Sequence, residues 1–472
     1  MPKQATFDVI IIGSGSAGFS AAEGAISVGA SVCVIEQGKL GGECPNFACV
    51  PSKAILKAAK VYRTAKKARE YGIELGTLSH DFSKVTQYRK KIIETITGGG
   101  QHGDRYEKIM KELGVTVKYG KAQLLDDHVV QVGGENFFGK TIIIATGTVD
   151  FVPPIPGLET VRYWSWKDAI QAKRQPKSLA VIGGGPVGCE IATFYASFGT
   201  RVTLLQSAPS VLNREDQEIS QIAQDGLKKL GVDIRTSVKI LEVINARGGV
   251  LGLRVESAGN EQTLAVEQIV LATGKRSNTL GLGLDDVGVA LDSRGNIKTT
   301  KEQRTSIRHI FAAGDVDGGM QFTHTAHHEG YNAGYNAGLL AKKKRKALKK
   351  TDEKVVPRVT FAEPEVASVG MTQAEVKDKY KKVLVGRYQV AALGRAVTEN
   401  KRVGLIKIVA HPKTRKVLGG HVAGERAGEV MHEIALAMYL GATIDKLADM
   451  IHAFPTFSEG IKAAATSAQM ES

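Results

Sequence analysis

Cysteine is scarce in this sequence. Only Cys33, Cys44, Cys49 and Cys189 occur among 472 residues, which is too few for the disulfide framework of a secreted protein of this length. A long apolar segment is also missing near the N-terminus, where the run Val9–Ile12 is far shorter than the roughly 20 residues that span a bilayer. No basic and apolar signal segment precedes that run. We therefore expect a cytoplasmic protein.

Positive charge is concentrated in one place. The net charge is +15, but the run Lys342–Lys350 holds seven positive charges, and without it the net charge is +8. We interpret this run as a solvated surface loop, with a docking site for an acidic partner or nucleic acid as the alternative. A chain that is 43% hydrophobic and 24% charged is otherwise ordinary for a globular protein of about two to four domains.

The clearest feature that is present is an internal repeat. Residues 8–36 and residues 178–206 follow the same pattern at a constant offset of 170. Each copy contains an apolar strand, a glycine turn, a helix and a second apolar strand, which together predict a βαβ unit. A strand ending in Ala-Thr-Gly follows each copy, at Gly147 and at Gly274. The matched turn glycines are Gly13 with Gly183, Gly15 with Gly185, and Gly18 with Gly188.

Both glycine turns are typical of dinucleotide-binding sites. The first glycine makes the turn, the second lets a pyrophosphate approach the helix N-terminus, and the third lets helix and strand pack. Glu36 stands eighteen residues after Gly18, where a carboxylate accepts hydrogen bonds from a ribose. The second copy has Gln206 at the matching place. The lack of a carboxylate there favours NADPH over NADH, because no like charge repels a 2′-phosphate.

The segment Gly41–Lys53 contains a second chemical signal. Cys44 and Cys49 lie five residues apart at a predicted helix entrance. That spacing lets them close a small disulfide, and a helix N-terminus stabilises a thiolate. A metal site is the alternative, but it needs further ligands. Cys33 and Cys189 do not supply them, because they lie in apolar elements and are interpreted as small buried hydrophobes.

This segment, the repeated dinucleotide pattern and the strand that ends at Gly314-Asp315 resemble those of the pyridine nucleotide–disulfide oxidoreductases. The resemblance covers essentially the whole chain in the same order. It implies an α/β fold in which one Rossmann-like dinucleotide-binding domain is inserted in another, followed by a C-terminal α+β dimerisation domain. The implied domains are an FAD-binding domain at 1–152 and 276–345, an NAD(P)-binding domain at 153–275, and an interface domain at 346–472 that forms a homodimer.

The same resemblance implies an enzyme that uses FAD and NAD(P)H. From the residues themselves we expect no resident metal ion. Electrons pass from nicotinamide through the flavin to the Cys44–Cys49 disulfide, and then to a disulfide or a small electron acceptor. Cys49 is implied to lie against the flavin in a charge-transfer contact, and Cys44 to meet the acceptor. Lys53 and Glu190 are implied to form an ion pair beside the flavin. Residues implied to bind cofactors are Gly13, Gly15, Gly18, Glu36, Lys53, Gly120, Thr146, Gly147, Asp315 and Thr323 for FAD, and Gly183, Gly185, Gly188, Gln206 and Gly274 for the nicotinamide dinucleotide.

The chain departs from the family pattern near its C-terminus. Members that act on dithiols carry a histidine before a Pro-Thr pair and an acid after it, and this histidine acts in the partner's site. Here Phe454 stands at the histidine position, Glu459 is kept as a catalytic acid, and His452 lies two residues earlier. Since general acid–base help is worth roughly 10²–10⁴-fold, we do not expect efficient turnover of a dithiol. The alternatives are a dihydrolipoamide dehydrogenase with an altered acid/base, and a reductase of mercuric or other metal ions or of quinones, although the C-terminal cysteine pair of mercuric reductases is missing.

Overall fold

A computed structural model describes residues 5–245 and 249–472 of the chain. Among the helices in these ranges, none is long and apolar enough to cross a membrane. The chain divides into two compact units, each made of three segments. Unit 1 comprises the chain up to Ala54, Thr86–Phe151 and Gly274–Glu353, and unit 2 comprises Ile55–Val85, Val152–Thr273 and Lys354–Ser472.

Runs of strands and runs of helices follow one another along the described chain. The helices are α1 (Ser16–Ile26), α2 (Glu43–Asn46), α3 (Cys49–Lys66), α4 (Phe82–Thr97), α5 (Asp104–Glu112), α6 (Trp166–Gln171), α7 (Pro186–Ser197), α8 (Gln217–Lys229), α9 (Thr323–Ala341), α10 (Gln373–Tyr380), α11 (Gly394–Thr398), α12 (Ala427–Tyr439), α13 (Ile444–Asp449) and α14 (Glu459–Thr466). The strands are β1 (Ala5–Ile12), β2 (Val32–Glu36), β3 (Thr116–Tyr119), β4 (Ala122–Leu124), β5 (Val129–Val132), β6 (Glu135–Ile144), β7 (Thr148–Asp150), β8 (Trp164–Ser165), β9 (Ser178–Ile182), β10 (Arg201–Leu205), β11 (Asp233–Arg235), β12 (Lys239–Asn245), β13 (Leu251–Ser257), β14 (Asn260–Val266), β15 (Gln268–Leu271), β16 (Lys275–Ser277), β17 (Ile310–Ala312), β18 (Arg358–Thr360), β19 (Glu365–Gly370), β20 (Val383–Gln389), β21 (Leu405–Ala410), β22 (Val417–Gly424) and β23 (Gln469–Glu471).

Unit 1 is built around a mostly parallel sheet of order β3-β2-β1-β6-β5-β4, with β17 pairing in parallel with the end of β6. The central strand β1 is apolar on both faces, as a parallel strand covered on both sides must be. Val9 and Ile11 belong to the core on one face, whereas Ile10 and Ile12 belong to the core on the other. The predicted βαβ unit is therefore present as β1, α1 and β2.

Within the described residues, unit 2 contains three sheets of different construction, one of which is the antiparallel sheet β12-β13-β14. The second copy of the repeat forms β9, α7 and β10 within a parallel sheet of order β11-β10-β9-β15-β8. Its C-terminal segment forms an antiparallel sheet of order β18-β19-β22-β21-β20-β23, and α12, α13 and α14 contribute to the same apolar core. The expected fold class, two Rossmann-like domains followed by an α+β dimerisation domain, is confirmed.

Candidate active site

The residues that the sequence assigns to FAD gather at one edge of the unit 1 sheet. Parallel strands present their carboxyl ends at a common edge, which is where open α/β sheets bind ligands. Each of five parallel strands, β1, β2, β3, β6 and β17, leads into one or more of the assigned residues. In that order of strands, the residues are Gly13, Gly15 and Gly18; Glu36; Gly120; Thr146 and Gly147; and Asp315.

The first glycine turn has the geometry of a phosphate cradle. Gly13 has φ +100°, and a Cβ there would lie 2.4 Å from the Ala145 carbonyl oxygen. A Cβ at Gly18 would lie 1.9 Å from the Gly13 carbonyl oxygen, so neither position tolerates a side chain. At Gly15 a Cβ would meet no protein atom within 4 Å. This open space at the N-terminus of α1 fits a pyrophosphate.

Glu36 ends β2 and is buried at 9% exposure. Its Oε2 accepts hydrogen bonds from the Ser14 backbone N–H (2.9 Å) and hydroxyl (2.7 Å), and its Oε1 accepts one from the Gly38 N–H (2.8 Å). The Gly120 N–H donates to the Glu36 carbonyl oxygen (2.8 Å). These contacts hold the carboxylate beside the glycine turn, where it fits the ribose of a bound dinucleotide.

Asp315 supplies a second acid at the same edge. Thr148 donates a hydrogen bond to its Oδ2 (3.4 Å), and burial, only partly offset by the charge of Lys275, raises the pKa of its carboxyl group. Thr146 donates to the Asn278 carbonyl oxygen (2.8 Å). A Cβ at Gly147 would meet no protein atom within 4 Å. Two acids and open glycine backbones around one sheet edge are a suitable donor and acceptor set for FAD.

Cys44 and Cys49 form the reactive centre of unit 1. Cys44 lies in α2 and Cys49 begins α3, and both are half-buried free thiols. The pKa of Cys44 is raised far above that of an ordinary thiol, first by its hydrogen bond with Cys49 and then by burial, while Thr323 and Lys53 oppose the rise. The hydrogen bond and burial therefore both favour the protonated form of Cys44. The Cys49 Sγ lies 3.3 Å from the Thr323 Oγ1 at the start of α9.

An ion pair beside Cys44 is not apparent from the sequence. Lys275 Nζ lies 2.7 Å from Glu43 Oε2, and the two side chains are 25% and 30% exposed. Burial by itself would lower the pKa of Lys275, but the charges of Glu43, Asp315 and Asp150 outweigh it and raise that pKa. The only available signal was the acid directly before Cys44 and the cation directly after Gly274. Lys275 thus fixes the residue that precedes the first thiol.

The second glycine turn, in unit 2, ends in an amide rather than an acid. The Gln206 Oε1 accepts a hydrogen bond from the Gly184 N–H (3.3 Å), and its Nε2 donates to the Ser210 carbonyl oxygen (3.4 Å). These hydrogen bonds hold the amide, which is uncharged, beside the turn that carries Gly183, Gly185 and Gly188. Along the chain, Gly274 follows β15 with φ +103° and no protein atom within 4 Å of a Cβ.

Lys53 and Glu190 lie in different units. Lys53 stands in α3 one turn after Cys49, and its charge acts on Cys44. Glu190 is buried in α7 of unit 2, where its Oε1 accepts a hydrogen bond from the Phe361 N–H (3.1 Å). The ion pair between them stays a prediction.

In the C-terminal segment, Phe454 and Glu459 stand at the two positions that form the acid–base pair in other family members, and they differ in exposure. Phe454 is 78% exposed. The Glu459 Oε1 is buried and has no hydrogen-bond partner among the described residues. His452 is 3% exposed at its side chain, with Nε2 2.7 Å from Glu433 Oε1 and Nδ1 3.2 Å from the Met450 carbonyl oxygen. Both imidazole nitrogens of His452 are thus engaged by groups of its own chain.

Two glycine cradles and a thiol pair on this fold define a flavoprotein oxidoreductase of the disulfide-reductase type. The family model described as pyridine nucleotide-disulphide oxidoreductase matches residues 7–330, and the model of its dimerisation domain matches residues 356–465. The chain therefore belongs to the pyridine nucleotide-disulphide oxidoreductase family. Membership implies FAD, a pyridine nucleotide and a homodimer, but it does not support the expected preference for NADPH.

Relatives named for different activities match nearly the whole chain. A mercuric reductase of Staphylococcus aureus is 34% identical over 98% of this chain and 82% of its own length. A dihydrolipoyl dehydrogenase of Chlorobaculum tepidum is 36% identical over 98% of this chain and 97% of its own. Among solved structures, the HOCl-induced flavoprotein disulfide reductase RclA from Escherichia coli is similar with a TM-score of 0.84 and 27% identity, over 97% of this chain and 99% of that one. RclA has also been solved as a Cu(II) complex, similar with a TM-score of 0.85.

Proposed function

We propose that this chain is an FAD-dependent NAD(P)H oxidoreductase in which the Cys44–Cys49 pair delivers electrons to a small acceptor, with a thiol-binding metal ion such as mercuric or cupric ion as the best candidate. The observation that carries the proposal is the pair of half-buried free thiols Cys44 and Cys49, with the Cys49 Sγ 3.3 Å from the Thr323 Oγ1. In this proposal 1–152 and 276–345 bind FAD, 153–275 binds the nicotinamide dinucleotide, and 346–472 forms the dimer interface.

The glycine turn, Glu36 and Asp315 would hold the flavin at the edge of the unit 1 sheet. FAD, when bound, supplies a carrier that takes a hydride from nicotinamide and passes electron pairs to sulfur. Reduction of the disulfide by one hydride equivalent breaks the S–S bond and leaves one thiol and one thiolate. The hydrogen bond between the two cysteines supports Cys44 as the thiol and Cys49 as the thiolate. Thr323, at the N-terminus of α9, would stabilise that thiolate.

The C-terminal segment favours an acceptor that needs no proton from a base. Phenylalanine cannot transfer protons, and His452 is held between Glu433 and a backbone carbonyl. A dithiol substrate must lose its protons to a base to be oxidised. A metal ion that binds the two sulfurs instead displaces the Cys44 proton to solvent and then takes electrons from the thiolates, which re-forms the disulfide. The similarity to mercuric reductases, and the Cu(II) complex of the similar protein RclA, support this choice.

The acceptor is tested by anaerobic assays of NAD(P)H oxidation with mercuric ion, cupric ion, a quinone and lipoamide. We expect turnover with a metal ion and slow turnover with lipoamide. Cys44→Ser should abolish metal turnover and keep the long-wavelength absorption of a thiolate beside the flavin, whereas Cys49→Ser should abolish both. Rapid lipoamide turnover by the wild type, or metal turnover by Cys44→Ser, would contradict the proposal.

Phe454→His tests the role of the missing base. The imidazole would stand five residues before Glu459, whose buried Oε1 lacks a partner, and we expect lipoamide turnover to rise by a factor below the general ~10²–10⁴-fold, because the pocket was not shaped for it. Metal turnover should hardly change. Phe454→Leu is the matched control, since it removes the ring without adding a base. If Phe454→His and Phe454→Leu lower lipoamide turnover and metal turnover equally, the role of Phe454 is structural, and the argument from a missing base is wrong.

A further inference from the structure

A short segment after the basic run, the strap Lys349–Glu353, lies along helix α9. Asn336 accepts a hydrogen bond from the Lys349 N–H (2.8 Å) and donates one to the Lys349 carbonyl oxygen (2.9 Å), and Asn332 donates to the Thr351 hydroxyl (3.2 Å). One turn before Asn332, the carboxyl group of Glu329 lies beside that of Glu353, since each has an oxygen 3.7 Å from where a Gly319 Cβ would stand. Helix positions 329, 332 and 336 therefore pair with alternate strap positions 353, 351 and 349.

The helix side of this polar ladder is buried. Asn336, Asn332 and Glu329 are 0%, 4% and 3% exposed. A helix presents positions i, i+3 and i+7 on one face, and an extended segment presents every second residue on one side, so the two periods match over this length. The exposed basic run, which lacks helix and strand as expected of a solvated loop, is thus pinned at its C-terminal end.

Glu329 connects the ladder to the turn that carries Asp315. Its Oε2 accepts a hydrogen bond from the Gly314 N–H (2.5 Å), directly before Asp315. The Glu329 Oε1, the Glu353 Oε2 and the Asp317 Oδ1 surround Gly319. A Cβ at Gly319 would lie 3.7 Å from each of the two glutamate oxygens and 3.3 Å from the aspartate oxygen. Glu329 thus has one oxygen on the turn and the other toward the strap.

The groups that face Glu329 are acids. Asp317 faces it from the turn and Glu353 from the strap, and Asp317 in turn faces Asp315. Burial, together with these neighbouring carboxylates, raises the pKa of Glu329 to about 9 and that of Asp317 to about 6. Two carboxyl groups make a hydrogen bond only while at least one of them keeps a proton.

We propose that Glu329 and Glu353 share one proton, and that this shared proton clamps the strap to α9 and positions the Gly314–Asp315 turn for the flavin. Both glutamates are positioning residues, since neither is placed in contact with the cofactor. The flavin part of the inference rests on the proposed role of Asp315. The clamp itself rests only on the ladder.

The clamp should make flavin retention depend on pH. Loss of the shared proton would put two carboxylates side by side, so the release rate of FAD from the wild-type holoenzyme should rise at alkaline pH by up to about tenfold per pH unit, the slope for one proton. Glu329→Gln keeps an acceptor for the Gly314 N–H and a donor for Glu353 but cannot ionise. Its release rate, followed by the fluorescence of free flavin between pH 6.5 and pH 10, should stay flat.

Glu302→Gln is the matched control, because Glu302 faces Lys350 of the strap (3.6 Å) but lies outside the acid cluster. It should release FAD as the wild type does. Glu353→Gln should be as flat as Glu329→Gln, and it serves as the second variant if Glu329→Gln folds poorly. A wild-type rate that does not rise with pH, or a Glu329→Gln rate that rises in parallel, would overturn the proposal.

Thermal unfolding of the purified protein, followed by far-UV circular dichroism, separates the clamp from the flavin. A folded-state pKa raised to about 9 makes the folded protein hold a proton that the unfolded chain releases near pH 4.5. Wild-type stability should therefore fall as the pH rises through this window, so that Glu329→Gln melts higher than the wild type at pH 9 and not at pH 5. Equal pH dependence in both proteins refutes the clamp even if FAD binds. If FAD does not bind at all, the proposed function fails while this comparison still decides the clamp.

Discussion

The two glycine turns of the repeat have nearly the same backbone and differ at the residue that ends the second strand. In unit 2, a Cβ at Gly183 would lie 2.3 Å from the Ala272 carbonyl oxygen, and one at Gly188 would lie 1.8 Å from the Gly183 carbonyl oxygen. A Cβ at Gly185 would again meet no protein atom within 4 Å, as at Gly15. The cradle is thus set twice by the same three backbone requirements.

The strand ends distinguish the two cradles. Glu36 offers a carboxylate that is fixed by three hydrogen bonds from the neighbouring turn. Gln206 makes longer hydrogen bonds, one accepted and one donated, and has no charge. A glycine turn therefore predicts a dinucleotide, whereas the residue at the strand end influences which dinucleotide is accepted.

We expect the largest effects on cofactor binding from substitutions that fill one glycine turn at a time. Gly15 and Gly185 have extended backbone angles that valine also adopts, and the space around each is empty of protein. We expect Gly15→Val to yield folded protein without FAD. Gly185→Val should keep FAD and lose at least about a hundredfold in kcat/KM for the nicotinamide, or about 3 kcal/mol. Flavin absorbance and steady-state rates measure the two effects.

The control for these substitutions is Gly76→Val, since Gly76 also has open space around it and no positive φ. It should change neither flavin content nor rate. Loss of FAD in Gly185→Val would show that the two cradles are not independent. Full FAD content in Gly15→Val would place the flavin elsewhere.

A substitution at Gln206, which follows the second strand of the second repeat, should have a smaller effect on the rate. Gln206→Glu makes the second repeat like the first, and its carboxylate would repel a 2′-phosphate. We expect kcat/KM for NADPH to fall about tenfold, equal to about 1.4 kcal/mol, with little change for NADH. The ratio of the two rates is the measurement, so changes in enzyme concentration cancel. An unchanged ratio would mean that Gln206 does not face the ribose and that our preference for NADPH has no basis.

The starts of the two repeats should differ in their response to acid. Burial alone would raise the pKa of Asp8, but hydrogen bonds from Lys140 and the Ser31 N–H, and the charges of Lys140 and Lys342, lower it to about 2. Its contribution to stability, at most about 2 kcal/mol, is present above the unfolded pKa near 3.8 and is lost as the pH falls from about 4 to 2.

Asp8→Asn should therefore lower the melting temperature at pH 7 and leave it nearly unchanged at pH 2. Ser178 stands at the matching position of the second repeat, where its hydroxyl accepts a hydrogen bond from the Glu267 N–H (3.0 Å). Ser178→Ala should have a small effect that is the same at both pH values. An Asp8→Asn effect that does not depend on pH would contradict the assignment of charge to Asp8.

The sequence by itself determined the doubled βαβ unit, the glycine turns and the thiol pair. These features are local, because a turn, a helix and its flanking strands depend on residues within about 30 positions. Set beside the family pattern, the order of residues around Pro455 also predicts that Phe454 stands where other members carry a base. Cys33 and Cys189 are buried as their apolar surroundings predicted.

Only the tertiary structure decided which distant side chains meet. Lys275 reaches Glu43 across more than 200 residues of sequence, and Glu353 reaches Glu329 through a strap that a charge pattern describes only as a loop. The same holds for the contact between His452 and Glu433, which no local pattern predicts. Hydrogen bonds and ion pairs of this kind depend on distances of about 3 Å between atoms, and those distances are set by how the sheets and helices pack rather than by the periodicity of any one segment.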